Sequence, residues 1–297
     1  MAQTFGRYEL REVLGRGGMG EVYRARDTVR QRDVALKVLP DHLAGDEKFL
    51  ARFRRESRLA AQLSDPHIIP IHDFGEIDGR LFIDMRLVLG SDLGSLIEDR
   101  GPLTVPVAVD ILGQVASALD AAHADALIHR DVKPGNVMLT GLTDDLEQRP
   151  PFAYLVDFGI ARSTTQMTAL TDTSSATIGT VAYMSPERIN GDVGDGRGDV
   201  YALACVLFEV LTGEPPFVGD LVPMIYQHMN ADPPRVSERV DVPPALDAVI
   251  AQGLAKDPDE RFATAGALAL AARRALSDHP TTPVSSGSTP PVSDGGG

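Results

Sequence analysis

Cysteine is nearly missing from this 297-residue chain. The single one, Cys205, excludes an intrachain disulfide and any metal site built on a cysteine cluster, and it suits a chain folding in a reducing compartment. It lies in a strongly apolar run, which reads as a small core residue rather than a reactive thiol. The seven histidines show no pairing at metal-ligand spacing. No run reaches the roughly 18 apolar residues of a bilayer span. Met1-Ala2-Gln3-Thr4 has neither the basic nor the apolar region of a signal peptide. Positive charge is also scarce: 28 Lys and Arg against 42 Asp and Glu give a net charge of −14, which excludes a nucleic-acid surface as the main role. What remains is an ordinary globular composition, 43% hydrophobic and 24% charged, long enough for one large domain or two smaller ones. No internal repeat is visible.

The first third reads as sheet plus one helix. Extended segments between Tyr8 and Leu39 flank Gly15-Arg16-Gly17-Gly18-Met19-Gly20-Glu21-Val22, the pattern G-x-G-x-x-G-x-V. Glycines let backbone amides approach a polyphosphate. A dinucleotide site shows the same letters but needs a helix directly afterwards; Val22 and Tyr23 instead predict a strand–turn–strand flap. A plain hairpin with no ligand stays open at this point. Lys37 sits in the apolar strand Val34–Leu39 and needs an anionic partner if it points inward. Asp46–Ser64 predicts a helix whose buried stripe is Phe49, Phe53, Ala60 and Leu63. Glu56 falls on that stripe, so Lys37 is its expected partner, with a local pair to Arg52 as the alternative. Strands at Ile69–Phe74 and Leu81–Leu87 complete an antiparallel sheet. Gly90 permits a bend, and the boundary is placed there.

Beyond it the chain turns helical. Thr104–Ala124 predicts a helix with Thr104 as N-cap. Next comes His129-Arg130-Asp131-Val132-Lys133-Pro134-Gly135-Asn136, where Pro134 and Gly135 break regular structure and leave Asp131, Lys133 and Asn136 on a loop. Two short strands, separated by a polar stretch at 141–151, lead to Asp157-Phe158-Gly159. Nine Ser and Thr lie between Gly159 and Ile178, which suits a modifiable loop. Ser185-Pro186-Glu187 closes it. Asp199 opens a helix that is apolar nearly all round, with Gly213 as its C-cap. Three further helices follow. Residues 279–297, rich in Pro, Ser, Thr and Gly, are expected to be a disordered linker.

Glycine flap, strand lysine, helix glutamate, Asp-x₄-Asn loop, Asp-Phe-Gly and Ser-Pro-Glu, in that order, resemble the eukaryotic-type protein kinases. The likeness spans about Tyr8 to Leu276. It implies an α+β bilobal fold: a small antiparallel-sheet N-lobe over 8–89 and a larger, mainly helical C-lobe over 90–278. It also implies transfer of the γ-phosphoryl of ATP to protein Ser or Thr hydroxyls. By resemblance, Gly15, Gly17 and Gly20 cover the phosphates, while Leu14, Val22, Ala35 and Met85 enclose the base. Backbone groups of Arg86 and Val88 bind the adenine. Lys37 holds phosphates and is oriented by Glu56, Asn136 and Asp157 carry Mg²⁺ (or Mn²⁺), Asp131 takes the hydroxyl proton and Lys133 steadies the γ-phosphate. Lys133 and Thr180 point to the serine/threonine class. Arg130 is expected to pair with a phosphate on Thr171 or Thr173. Glu187 should pair with Arg261, and Asp199 should anchor the catalytic loop.

Gly17–Tyr23 and Pro70–Gly75 are similar to actinobacterial receptor-type serine/threonine kinases. That likeness implies the cytoplasmic domain of a single-pass plasma-membrane protein, the membrane segment lying outside this chain, with N-lobe homodimerisation possible and nucleic acid not a partner. Ser185, Leu89 and the 141–151 stretch depart from the usual pattern without touching a catalytic position. The competing expectation is a nucleotide-binding pseudokinase or scaffold, which should lack Lys37, Asp131 or Asp157.

Overall fold

Alternating burial along the first strands decides which residues face which way. The computed structural model describes residues 3–17, 20–159, 179, 181–192 and 194–277. Its first sheet has strands β1 (Gln3–Phe5), β2 (Tyr8–Gly17), β3 (Gly20–Asp27), β4 (Arg32–Val38), β5 (Ile71–Ile77) and β6 (Arg80–Arg86), in the spatial order β1-β2-β3-β4-β6-β5, all antiparallel. Five strands were expected; β1 adds a short outer edge. Along β4, Val34, Leu36 and Val38 join an outer cluster with Tyr8, Ala25 and Phe82. Ala35 and Leu39 turn the other way, into the main core with Ile83 and Met85. The period of two therefore puts Lys37 on the inner face, where it is 8% exposed.

Helix α1 (Glu47–Gln62) starts where Asp46 accepts hydrogen bonds from the Lys48 and Phe49 amides. Phe49, Phe53, Glu56 and Ala60 are buried, as the stripe predicts, and Phe53 meets Phe74 of the sheet edge-on at 6.4 Å. Past the connector, Gly90 passes so close to the Leu139 carbonyl that a Cβ would overlap it, so only glycine fits.

The helical part contains α2 (Leu93–Arg100), α3 (Val105–Ala124), α4 (Pro186–Ile189), α5 (Arg197–Thr212), α6 (Leu221–Asn230), α7 (Ala245–Gly253) and α8 (Ala265–Ser277). A small antiparallel sheet, β7 (Ser91–Asp92), β8 (Val137–Thr140) and β9 (Phe152–Leu155), lies beside them. Thr104 occupies the N-cap position of α3 but makes no side-chain capping bond. Among the described residues α3 is the one helix long and apolar enough to cross a bilayer, but Val107, Ile111, Leu112, Val115 and Leu119 are buried in the main core. It is the core helix. Helix α5 is buried nearly all round and ends on Gly213 in the left-handed conformation, φ 84°. Cys205 is fully buried there, and burial pushes its thiol pKa up. Thr171, Thr173, Thr180 and residues 279–297 lie outside the described residues.

Candidate active site

The flap comes first in the chain. Gly15 and Gly17 end β2, Gly20 begins β3, and Gly17 faces Gly20 across the hairpin. A strand follows the glycines, as expected of a phosphate flap, and no helix does. Gly20 has φ 112°, and a Cβ there would strike the Val38 carbonyl, so this position admits no other residue. Val22 packs against the core, while Leu14 is half-exposed at the lip. Ala35 and Met85 stand opposite each other across β4 and β6, both buried. The Arg86 amide donates to the Pro70 carbonyl at 2.9 Å, so of its backbone groups only the carbonyl could serve a purine.

The loop carrying Asp131 is held from below by one carboxylate. Asp199, in the first turn of α5, accepts from the His129 and Arg130 amides at 2.8 Å each and bonds His123 Nε2 of α3 at 2.8 Å. Burial alone would raise the Asp199 pKa, but these bonds and the neighbouring histidines outweigh it and hold it below the ordinary range. His129 is fully buried; its Nδ1 accepts from the Asp131 amide at 3.2 Å, so Nε2 carries the proton and donates to the Val156 carbonyl at 3.0 Å. Burial keeps that imidazole neutral by lowering its pKa. The His129 carbonyl in turn accepts from the Gly159 amide at 2.9 Å, and the His129 and Phe158 rings lie 4.8 Å apart. Histidine thus ties the loop to the Asp-Phe-Gly strand end.

On this scaffold the polar groups converge. Lys133 Nζ is 3.2 Å from Asp131 Oδ2. Asn136 Nδ2 donates to the Asp131 carboxylate at 3.0 Å and to its carbonyl at 2.7 Å. That leaves the Asn136 amide oxygen as its ligand atom for a cation. Asp157, at φ 58°, turns its carboxylate to Lys37, with Nζ–Oδ1 at 2.9 Å. Burial would raise its pKa, and the lysine charge and hydrogen bond bring it down instead. The described residues hold no group of three His, Cys, Asp or Glu able to cage a metal. An amide oxygen and a carboxylate suit a hard ion that keeps most of its shell on phosphates and water.

One expected pairing differs. Glu56 does not meet Lys37; its Oε1 lies 3.0 Å from Arg130 Nη1, while Lys37 pairs with Asp157. The cause is geometric. Arg130 has a left-handed backbone, φ 64°, and its guanidinium reaches helix α1 from the loop. Two cations and two carboxylates are thereby cross-matched. Glu56 Oε2 is buried and has no hydrogen-bond partner, and burial raises the Glu56 pKa against the pull of Arg130. Arg130, expected to receive a loop phosphate, is therefore engaged by α1. Its carbonyl accepts from Arg188 Nη1 at 2.5 Å.

The Glu187–Arg261 brace forms as a bidentate pair at 2.7 and 2.8 Å. The sequence reading gave no part to His123, nor to Asp84, a buried carboxylate on β6 bonded to the Tyr8 hydroxyl at 2.9 Å and His72 Nδ1 at 3.0 Å. An acid inside an apolar strand was the available signal for Asp84.

Comparison with known proteins agrees with this geometry. The family model described as "Protein kinase domain" matches residues 8–271. The serine/threonine-protein kinase PknE of Mycobacterium bovis is 51% identical over 275 residues, covering 92% of this chain and 46% of that protein. PknH of Mycobacterium tuberculosis H37Rv is 51% identical over 280 residues, 94% of this chain and 43% of that one. The crystal structure of the M. tuberculosis PknI kinase domain superposes with a TM-score of 0.73 at 36% identity, over 92% of this chain and 98% of that domain. The chain thus spans less than half the length of the curated relatives it matches.

Proposed function

This chain belongs to the protein kinase family, and from that premise we propose that it transfers the γ-phosphoryl group of ATP to serine or threonine hydroxyls of proteins. The observation that carries the reading is the Asp131 carboxylate, flanked by Lys133 at 3.2 Å and Asn136 at 3.0 Å on a loop clamped by Asp199. Asp131 receives the proton of the acceptor hydroxyl, which raises its nucleophilicity as the bond to phosphorus forms. Lys133 faces the negative charge that spreads over the transferred group. Lys37 binds the phosphates beneath the glycine flap, and the lip at Leu14, with Val22, Ala35 and Met85, encloses the base. Asn136 and Asp157 would hold a divalent ion, Mg²⁺ or Mn²⁺, which would neutralise phosphate charge; assays with each ion compare the two.

The cross-matched pairs describe a resting arrangement. Phosphate on Thr171 or Thr173 recruits Arg130, frees Glu56 for Lys37, and Asp157 for the metal. Thr180 completes the acceptor side. The lobe boundary falls between residues 89 and 90. In the cell the domain works on the cytoplasmic side of a membrane protein of which this chain is a part, and it pairs through its N-lobes; membrane fractionation of the whole protein and sedimentation of this chain test these two points. Retention of Lys37, Asp131 and Asp157 favours catalysis over a pseudokinase. Incubation with Mg²⁺ and labelled ATP decides: Asp131→Asn should lose transfer about 10²-fold or more, and equal transfer by both proteins would overturn the mechanism.

A further inference from the structure

An open groove of about 410 Å³ lies where the end of α1 and the α1–β5 connection meet β9, sharing only Arg86 with the site above. Four rings, Phe152, Tyr154, Pro66 and Pro70, line it together with aliphatic side chains such as Leu63 and Ile71. Phe152 is 38% exposed, unusual for a phenylalanine on a strand, and sits 4.8 Å from the Tyr154 ring. The His67 ring also stacks on Phe152, with centroids 4.6 Å apart, and is fixed by an Nδ1–H bond to the Ala153 carbonyl at 2.9 Å. The Tyr154 hydroxyl accepts from Arg86 Nη1 at 3.2 Å, so polar groups stand at the rim. Flat rings with nearby hydrogen-bond donors are the surface that polyproline II segments recognise, because that helix presents pyrrolidine faces and unpaired carbonyls.

A proline-rich sequence, residues 280–293, follows α8. The Ala265 and Gly266 amides bond the Asp120 carboxylate at 2.9 and 3.0 Å, and a Cβ at Gly113 would lie 3.3 Å from Arg273 Nη2, so α8 runs antiparallel to α3 and ends beside its first half. The neighbouring face of α3 borders the groove: Gln114 bonds the Pro151 carbonyl and the Ala153 amide at 2.9 and 2.8 Å, and Ser117 bonds Asp65 at 2.7 Å. Helix α3 thus lies between α8 and β9, and the width of one helix is ~10 Å. Residues 280–293 contain no charged side chain and four prolines, with P-x-x-P at Pro280-Thr281-Thr282-Pro283. In polyproline II form, about six residues span ~19 Å, more than that width.

We propose that this groove is the docking site of the chain's own proline-rich segment, residues 280–293, laid across Phe152 and Tyr154. The proposal is independent of phosphoryl transfer. The chain has no tryptophan, so Val284→Trp in the full-length chain gives a unique probe. Tethering supplies a millimolar effective concentration, enough to fill even a sub-millimolar site, so acrylamide quenching should be about threefold weaker than in the free 278–297 peptide carrying the same substitution. Phe152→Asp should restore free-peptide quenching. So should Pro280→Ala/Pro283→Ala, which lies past α8 and cannot act by unfolding the domain. Free-peptide quenching in the parent would overturn the proposal, as would protection surviving both variants. Protection lost on about hundredfold dilution would assign the groove to the segment of a second copy and overturn the intrachain form.

Discussion

Replacing Arg130 by glutamine tests whether one guanidinium couples helix α1 to phosphorylation at Thr171 or Thr173. In the structure its Nη1 lies 3.0 Å from Glu56 Oε1, with both side chains mostly buried at 21% and 11% exposure. A hydrogen bond between charged groups in such a place is worth about 1.5–3 kcal/mol, which corresponds to roughly 10–150-fold in the resting equilibrium. A phosphothreonine carries −1.5 to −2 charges and competes for the same guanidinium with more charge than Glu56. The parent should therefore lose about tenfold or more in initial rate when dephosphorylated. Arg130→Gln lacks both the resting partner and the phosphate partner, so its rate should change less than about twofold on the same treatment. The assay is labelled-phosphate transfer to a fixed protein acceptor, before and after phosphatase. An equal loss in both proteins would refute the coupling, whatever their absolute rates.

Other consequences follow from the buried charges. Glu56→Gln should abolish most transfer and lower the urea midpoint, because it leaves the mostly buried Arg130 guanidinium without its carboxylate; an unchanged or higher midpoint would contradict the pairing. Arg261→Met strands Glu187 and should cost about 3–5 kcal/mol, whereas adding Glu187→Leu should recover part of it; a double variant as unstable as the sum of the singles would rule out direct coupling. Asp199→Asn weakens the clamp on the His129 and Arg130 amides, and kcat should fall about tenfold or more while the KM for ATP moves less. The carboxyls of Asp157, Glu187 and Asp199 lie below their ordinary values of 3.8, 4.5 and 3.8, so the unfolded chain binds more protons in that range. Their stabilisation is complete above pH 4.5 and is lost as pH falls through the lowered values; urea midpoints that stay flat down to pH 2 would disprove it.

Much of the fold could be read from periodicity. The stripe of α1 placed Phe49, Phe53 and Glu56 on its inward face, where the structure has them; the apolar run of β4 left the direction of Lys37 open, and the structure turns it inward. Val22 and Tyr23, strand formers directly after the glycines, separated a flap from a dinucleotide turn, and β3 runs there. Partner choice was not legible. A stripe says that Glu56 is buried but not which cation reaches it; the left-handed backbone of Arg130 decides that, and such a conformation leaves no mark in an Arg-Asp dipeptide. Edge strand β1, three residues long, is too short to show a period. Asp84 could have been flagged by the logic applied to Lys37, a charge within an apolar strand. The aromatic groove was invisible for another reason: it joins Pro66 to Phe152, far apart in the chain.

The clamp on Asp199 has a thermal corollary. His123, the His129 and Arg130 amides, and through His129 the Val156 carbonyl, all anchor Asp131 to the helical lobe. Lys37 on β4 and Glu56 on α1 reach the site from the six-stranded sheet and its helix. One side of the site is therefore held by a buried carboxylate, the other by two ion pairs, Lys37–Asp157 and Arg130–Glu56. Warming should loosen those side-chain pairs before the fold melts, so turnover should peak and decline at temperatures where the fold is still intact.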